Sequence, residues 1–386
     1  MNNKPTGPLG PNANLIGLPG SRYELETPAL VVDVDVLDGN ITAMAAHARA
    51  NNYSLRPCFK VYKCVEIARR QIAAGALGVC CATLAEAEAA AAGGIPGIML
   101  FSTVVTPGKL DRLAVLNAQS ESLIVVTDSV SNIADLAAAA RRSGRALDVM
   151  VDYELGGGRT GAHDAETLVR LASAVASTPG LRYAGLQGYN GLILCIPSYE
   201  ERRRASLERL AELKVAVDRL ASAGLPPPVV SGGGTGTHDF DHETGVFTEI
   251  QVGTYVHMDV NYSGVQLRLD GQPPFGMALS VSVSVLSSSG DGFVITDGGA
   301  KEIDGTFGQL QPLIQAGAPP GSEYSMVGDD LGRIDVPAGA APPAVGKRIS
   351  VIPPHAWQTV PMYPLYHCVS GDTLVDIWPV DGRDSW

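Results

Sequence analysis

The chain has 386 residues and a formal net charge of −12, long enough for two domains or for a barrel with an appendage. That charge argues against nucleic acid or an anionic membrane surface as a partner. No apolar run approaches the roughly 20 residues that span a bilayer. Met1 to Gly20, rich in Asn, Pro and Gly, lacks the apolar core of a signal peptide, and residues 1–26 read as a loose arm that orders on a partner surface. Cys58, Cys64, Cys80, Cys81, Cys195 and Cys368 show no zinc-ligand spacing. Reduced thiols and a cytoplasmic location are expected.

From Thr27 short β-branched runs alternate with Ala-rich helical runs. Ala29 to Val36 reads as a strand and Leu37 to Asn51 as a helix. A second strand runs into Lys60, with a helix from Val65 to Arg70 after it. Further strand–helix pairs follow: Gly78 to Thr83 with Leu84 to Ala92, Gly97 to Phe101 with a helix from Pro107, and Ser122 to Thr127 with a helix from Val130. Asp148 to Asp152 precedes a helix from Asp164 to Ser177, and Tyr183 to Gln187 precedes one from Tyr199 to Gly224. Pro228 to Ser231 and Ile250 to Val256 complete the set. Continuous apolar runs in strict alternation with helices mean a parallel sheet, and about eight units mean an α/β chain closed as a (β/α)8 TIM-type barrel over residues 27–262. An open doubly wound sheet is the alternative. From residue 263 to 386 the segments are β-like, with Pro and Gly in the connections: Ala278 to Val285, Gly292 to Thr296, Arg348 to Ile352 and Thr373 to Trp378. They read as a second, antiparallel β domain.

In such a barrel the functional residues sit at the C-terminal ends of the strands. Lys60 ends one strand, within Arg56-Pro57-Cys58-Phe59-Lys60-Val61-Tyr62-Lys63. Asp152 to Gly161, containing Arg159, ends another; Gln187 to Gly191, containing Tyr189, ends a third. Ser231-Gly232-Gly233-Gly234-Thr235-Gly236-Thr237 ends a fourth. Its backbone N–H groups, unobstructed by side chains, can close around a phosphate, with the hydroxyls of Thr235 and Thr237 nearby. Arg159, after three glycines, suits a phenolate or carboxylate, or else a surface ion pair.

Together these segments resemble the fold-type III pyridoxal-phosphate enzymes of the D-threonine aldolase and D-serine dehydratase branch, which share their barrel with alanine racemase. The resemblance runs from Thr27-Pro28-Ala29-Leu30 to Gly371-Asp372 and is most specific at Ser231 to Thr237, Gln251 to Asp259 and Pro353-Pro354-His355. It implies that Lys60 carries pyridoxal phosphate as a Schiff base and that Gly233, Gly234 and Thr235 hold the phosphate. It further implies Arg159 at the phenolic oxygen, Tyr189 beside the pyridine ring, Tyr255 near its nitrogen or phosphate edge, and a homodimer.

The sequence departs from the family on the substrate side. In the family pattern Pro-His-x-Lys-Thr-His-Lys, Cys58 replaces the first histidine and Tyr62 the second. The family's His-x-Asp or His-x-Cys metal pair reads His355-Ala356-Trp357, and an indole offers a divalent ion no lone pair. A bound metal is therefore doubtful, unless Asp329, Asp330 or Cys368 approaches from elsewhere. The expected activity is an aldol or retro-aldol step on a β-hydroxy-D-amino acid, with His355, Tyr62 or a water managing the hydroxyl proton. Alternatives are racemisation, dehydration, transfer of an α-carbanion, or a protein that only carries the cofactor. Phe59, Tyr62 and Trp357 suggest an aromatic pocket for a bulkier, less polar amino acid.

Overall fold

The computed structural model describes residues 9–305 and 310–383. Ser54–Leu55, Val79–Cys81, Ile98–Leu100, Leu123–Thr127, Leu147–Glu154, Leu181–Tyr189, Val229–Gly232 and Glu249–Ile250 form one eight-stranded parallel sheet. Its edges meet: Cys58 bridges Cys80 in parallel, Leu77 N–H donates to Leu55 O at 2.9 Å, and Cys80 N–H donates to Pro57 O at 2.9 Å. The barrel is thereby closed, with Cys58, Cys80, Met99, Val126 and Met150 packed together as a cluster of their own. Helices between the strands bury the other face, and local chemistry fixes where they start. Thr83 and Glu86 form a reciprocal capping box on Leu84–Ala92, Pro107 opens Pro107–Gln119, and Asp164 caps Ala165–Ser177.

Ala29–Asp33 does not belong to this barrel. It pairs antiparallel with Leu279–Ser287 and parallel with Leu365–Ser370, at the centre of the second sheet. The barrel proper therefore starts with the strand that leads to Lys60. Asp33 then caps a helix that begins at Val34, so the expected strand stops three residues short of Val36. The second sheet has nine strands and contains Phe293–Thr296, Arg348–Ile352 and Thr373–Pro379 as expected. It also contains Leu313–Ala316, Glu323–Met326, Gly332–Asp335 and Leu365–Ser370, which the sequence reading did not separate from loop. Ile250 to Val256 is strand only as far as Ile250 and then turns into the 3-10 helix Thr254–Val256.

The amino-terminal arm, where described, is docked on its own chain. Gly17 N–H donates to Leu374 O at 2.8 Å, Asn12 Nδ2 lies 2.9 Å from His367 Nε2, and Ser21 Oγ accepts from Leu374 N–H. This replaces the expectation of a loose arm for residues 9–26; residues 1–8 lie outside the described residues. No helix among the described residues is long and apolar enough to cross a membrane.

Lys60 sits in the 3-10 turn Phe59–Val61, not at a strand end. At about three residues per turn, Lys60 and Val61 face one side while Phe59 and Tyr62 enter the core. The turn is held from behind by residues near the carboxyl terminus. Lys63 ion-pairs with buried Glu86 and donates to Gly382 O at 3.2 Å, and Gly382 N–H returns a bond to Lys63 O at 2.9 Å. Asp381 Oδ2 accepts from Val65 N–H at 2.7 Å, capping Val65–Ala73, whose own N-cap, Cys64, gives no side-chain bond.

Candidate active site

The C-terminal ends of the barrel strands open into a cavity of about 430 Å3, within the range of small-molecule sites. Lys60, Arg159, Tyr189, Gly234, Thr235 and His355 line it, so six of the residues expected there converge. Three others do not. Tyr62 is wholly buried against Phe59, their ring centres 5.3 Å apart, and its hydroxyl has no hydrogen-bond partner among the described residues. Tyr255 points its hydroxyl at Gln71 Nε2, 2.9 Å away, and packs on Phe275. Gly233 lies behind the lining. Its φ is +64°, and a Cβ there would stand 2.3 Å from Asp241 Oδ2.

The glycine loop is shaped as much by its back as by its front. A Cβ on Gly234 would meet Leu194 Cδ1 at 2.9 Å. Thr235 Oγ1 accepts from the N–H groups of Gly253 and Tyr255 at 3.3 and 3.1 Å, so Tyr255 contributes through its backbone. Thr237 turns away from the cavity, donating from Oγ1 to Asp241 Oδ2 at 2.8 Å. Burial pushes Asp241 up to about 7, against the opposing bonds from Thr237 and Gly234.

Beside the loop, Gln187 Nε2 donates to Asp152 Oδ1 at 2.9 Å and Thr160 Oγ1 donates to Asp152 Oδ2 at 2.6 Å. Burial raises Asp152 to about 6 despite these two bonds. The chain of contacts continues from Gln251 to Ser231, Glu249 and Arg56, crossing the barrel interior. Arg159 is exposed and lies over Tyr189, its guanidinium carbon 5.4 Å from the ring centre. Asp152, Gln187 and Gln251 stand at strand ends, which located them in the sequence but assigned them no role.

The opposite wall comes from the second sheet. Asp259 accepts from Ala356 N–H at 3.0 Å and from Tyr262 N–H at 3.0 Å, while Val260 and Asn261 N–H donate to Pro353 O and Pro354 O. These bonds pin the Pro353 to Trp357 segment to the barrel. His355 Nδ1 lies 3.0 Å from Asp304 Oδ2, both side chains buried. Asp304 is 51 residues away and no sequence spacing announces it. Trp357 is half-buried, its ring centre 5.4 Å from Lys60 Nζ and 6.2 Å from that of His355. Cys58, where the resemblance has a histidine, lines the floor. The neighbouring Cys80 thiol and the Lys60 charge hold its thiol below the ordinary range, against the upward pull of burial.

Comparison with known proteins gives this geometry a family. The profile described as alanine racemase, N-terminal domain matches residues 32–260, and that of a putative serine dehydratase domain matches residues 278–369. The chain belongs to the fold-type III pyridoxal-phosphate enzymes of the D-threonine aldolase branch. It is 33% identical over 377 residues to the 3-hydroxy-D-aspartate aldolase of Paracoccus denitrificans (strain Pd 1222), covering 95% of this chain and 94% of that protein. It is 33% identical over 359 residues to the D-threonine aldolase of an Arthrobacter species, covering 93% of each. The crystal structure of D-threonine aldolase from Filomicrobium marinum superimposes with a TM-score of 0.89 at 34% identity, covering 93% of this chain and 96% of that one.

The residues present fit the cofactor of this family. Lys60 is the one lysine among the described lining residues, and it faces a glycine loop whose cradle side chains would fill. Lys63, three positions on, is engaged with Glu86 outside the cavity. Among the described residues no three His, Cys, Asp or Glu side chains gather as a metal site. Asp330 and Asp329 lie on the surface against Lys301, 2.9 and 3.8 Å away, and Cys368 is buried in Leu365–Ser370.

Proposed function

We propose that the protein is a pyridoxal-phosphate-dependent carbon–carbon lyase for β-hydroxy-D-amino acids, in which His355 rather than a metal ion manages the β-hydroxyl proton. The observation that carries this reading is the His355–Asp304 pair on the cavity wall, next to an indole where the family has a metal ligand. The lyase class is supported by relatives named as aldolases for 3-hydroxy-D-aspartate and D-threonine.

Lys60 would anchor the cofactor, with Gly234 and Thr235 at its phosphate, Gly233 supporting them, Arg159 at its phenolic oxygen and Tyr189 beside its ring. Bound there, the cofactor supplies an electron sink for the substrate's α-carbon. Asp304 orients the His355 imidazole, the role a buried acidic side chain plays for a catalytic histidine. His355 takes the β-hydroxyl proton as the bond between the α- and β-carbons breaks. The β-carbon leaves as an aldehyde, and a proton is returned to the α-carbon. Tyr62 has no part in this, being outside the cavity. A homodimer with reduced thiols in the cytoplasm completes the reading, the partner closing the mouth where Arg159 and Leu192 are exposed.

Dialysis against EDTA should leave retro-aldol activity unchanged, and His355→Asn should lower kcat by about 10²- to 10⁴-fold, the usual range for a lost general base. Activity abolished by EDTA and restored by manganese or magnesium would return the protein to a metal-assisted reaction.

A further inference from the structure

The cavity is short of charge, and its polar lining is mostly neutral: Thr160, Gln187, Gln251, Thr254 and Asn261. Its described lining carries two cationic side chains, Lys60 and Arg159, and one carboxylate, Asp152, besides His355. In the reading above both cations serve the cofactor, whose phosphate brings about 1.5 to 2 negative charges. The loaded site is then near neutral or negative, with neither of those cations left for a carboxylate on the substrate's β-carbon. Burying an unpaired carboxylate is strongly unfavourable.

What faces the lysine instead is an indole. The Trp357 ring centre lies 5.4 Å from Lys60 Nζ, and the bonds from Asp259 and the Pro353–Pro354 carbonyls hold its segment in place. Phe101 and Leu192 are further apolar residues of the lining, and Leu194 lies at the glycine loop. The indole ring offers stacking and dispersion contact to an aryl or bulky apolar group and, its single N–H apart, nothing to an anion.

We propose that the substrate's β-substituent is an uncharged aryl or comparably bulky apolar group, selected by Trp357. The reaction rests on the lyase reading; the preference of the pocket stands apart from it. It sets this chain apart from relatives named for 3-hydroxy-D-aspartate.

D-Phenylalanine and D-aspartate carry these two kinds of substituent and have no β-hydroxyl, so neither can be split by a retro-aldol step. Calorimetric titration of the holoenzyme should show D-phenylalanine binding at least tenfold tighter than D-aspartate. That ratio should fall at least fivefold in Trp357→Ala and persist in Trp357→Phe. Equal or tighter binding of D-aspartate, or a ratio unmoved in Trp357→Ala, overturns the assignment. If Trp357→Ala does not fold, the wild-type ratio decides alone. Turnover of β-phenylserine and 3-hydroxy-D-aspartate is then measured in parallel. Selective binding with neither compound split keeps the pocket assignment and sinks the lyase reading.

Discussion

The cavity has a wall built by the barrel and a wall built by the second sheet, and they are held in different ways. The barrel wall is mostly main chain: the glycine loop is fixed by Thr235 Oγ1 accepting two backbone N–H groups and by close contacts to Asp241 and Leu194. The facing wall is a short segment that displays two side chains, His355 and Trp357, and is itself tethered through Asp259. A wall of backbone tolerates little variation in shape, because a single Cβ fills it. A wall of side chains can exchange one chemistry for another without moving the chain. That division explains how a cofactor platform stays intact while an indole stands where a metal ligand is expected.

The largest difference between the two walls is expected at the two lysines. Lys60→Ala should abolish the borohydride-trapped cofactor adduct and all turnover while leaving the fold intact. Lys63→Ala should instead cost about 3–5 kcal/mol of stability in urea unfolding, because it strips a buried ion pair of one partner. Trapping on Lys63 in the Lys60→Ala protein would show that the barrel wall does not choose its lysine.

A second test addresses how the walls are joined. His257 is fully buried beside Tyr366 of the second sheet, 5.7 Å between ring centres, and neither ring nitrogen has a hydrogen-bond partner among the described residues. Burial lowers its pKa to about 3, against about 6.5 in an unfolded chain. The native state keeps it neutral, so its contribution is whole above about pH 6.5 and is lost as the pH falls towards 3. Between pH 7 and pH 5 this one group should remove about 2 kcal/mol. His257→Phe should flatten that part of the pH dependence of urea unfolding; identical profiles for both proteins would sink the assignment.

The smallest expected effect probes the barrel wall directly. Gly233→Val should weaken pyridoxal-phosphate binding at least tenfold, equivalent to about 1.4 kcal/mol. It would place a Cβ 2.3 Å from the Asp241 carboxylate at a φ of +64°. Gly234→Val meets only the end of a leucine side chain at 2.9 Å and should do less. Equal affinity in both variants and the wild type would remove the loop from phosphate binding.

The barrel was legible in the sequence because its strands and helices alternate, and helices such as Leu84–Ala92 and Arg348–Ile352 among the strands fell on their expected residues. Ala29–Asp33 was misplaced because an apolar run buried on both faces looks the same in either sheet. What decides between them is pairing with Leu279–Ser287 and Leu365–Ser370, far along the chain. The strands Leu313–Ala316 and Gly332–Asp335 are short and carry polar or exposed positions, so they lack an apolar period to read. In the site, motif residues such as Lys60, Arg159 and Thr235 were recognisable by neighbours in sequence. Tyr62 was misjudged because adjacency to Lys60 says nothing about which way a three-residue turn aims it. Asp304 was invisible because its meaning comes only from His355.

The contacts behind the lysine turn also impose an order in time. Lys63 meets Gly382, 319 residues away, and the cap of Val65–Ala73 is Asp381, 316 residues beyond Val65. During synthesis the barrel strands emerge long before those residues exist. The nascent chain can close its barrel with the lysine turn still unlatched, and the turn is complete only once residues 381 and 382 have left the ribosome. The complete lysine turn therefore exists only after both sheets have been made.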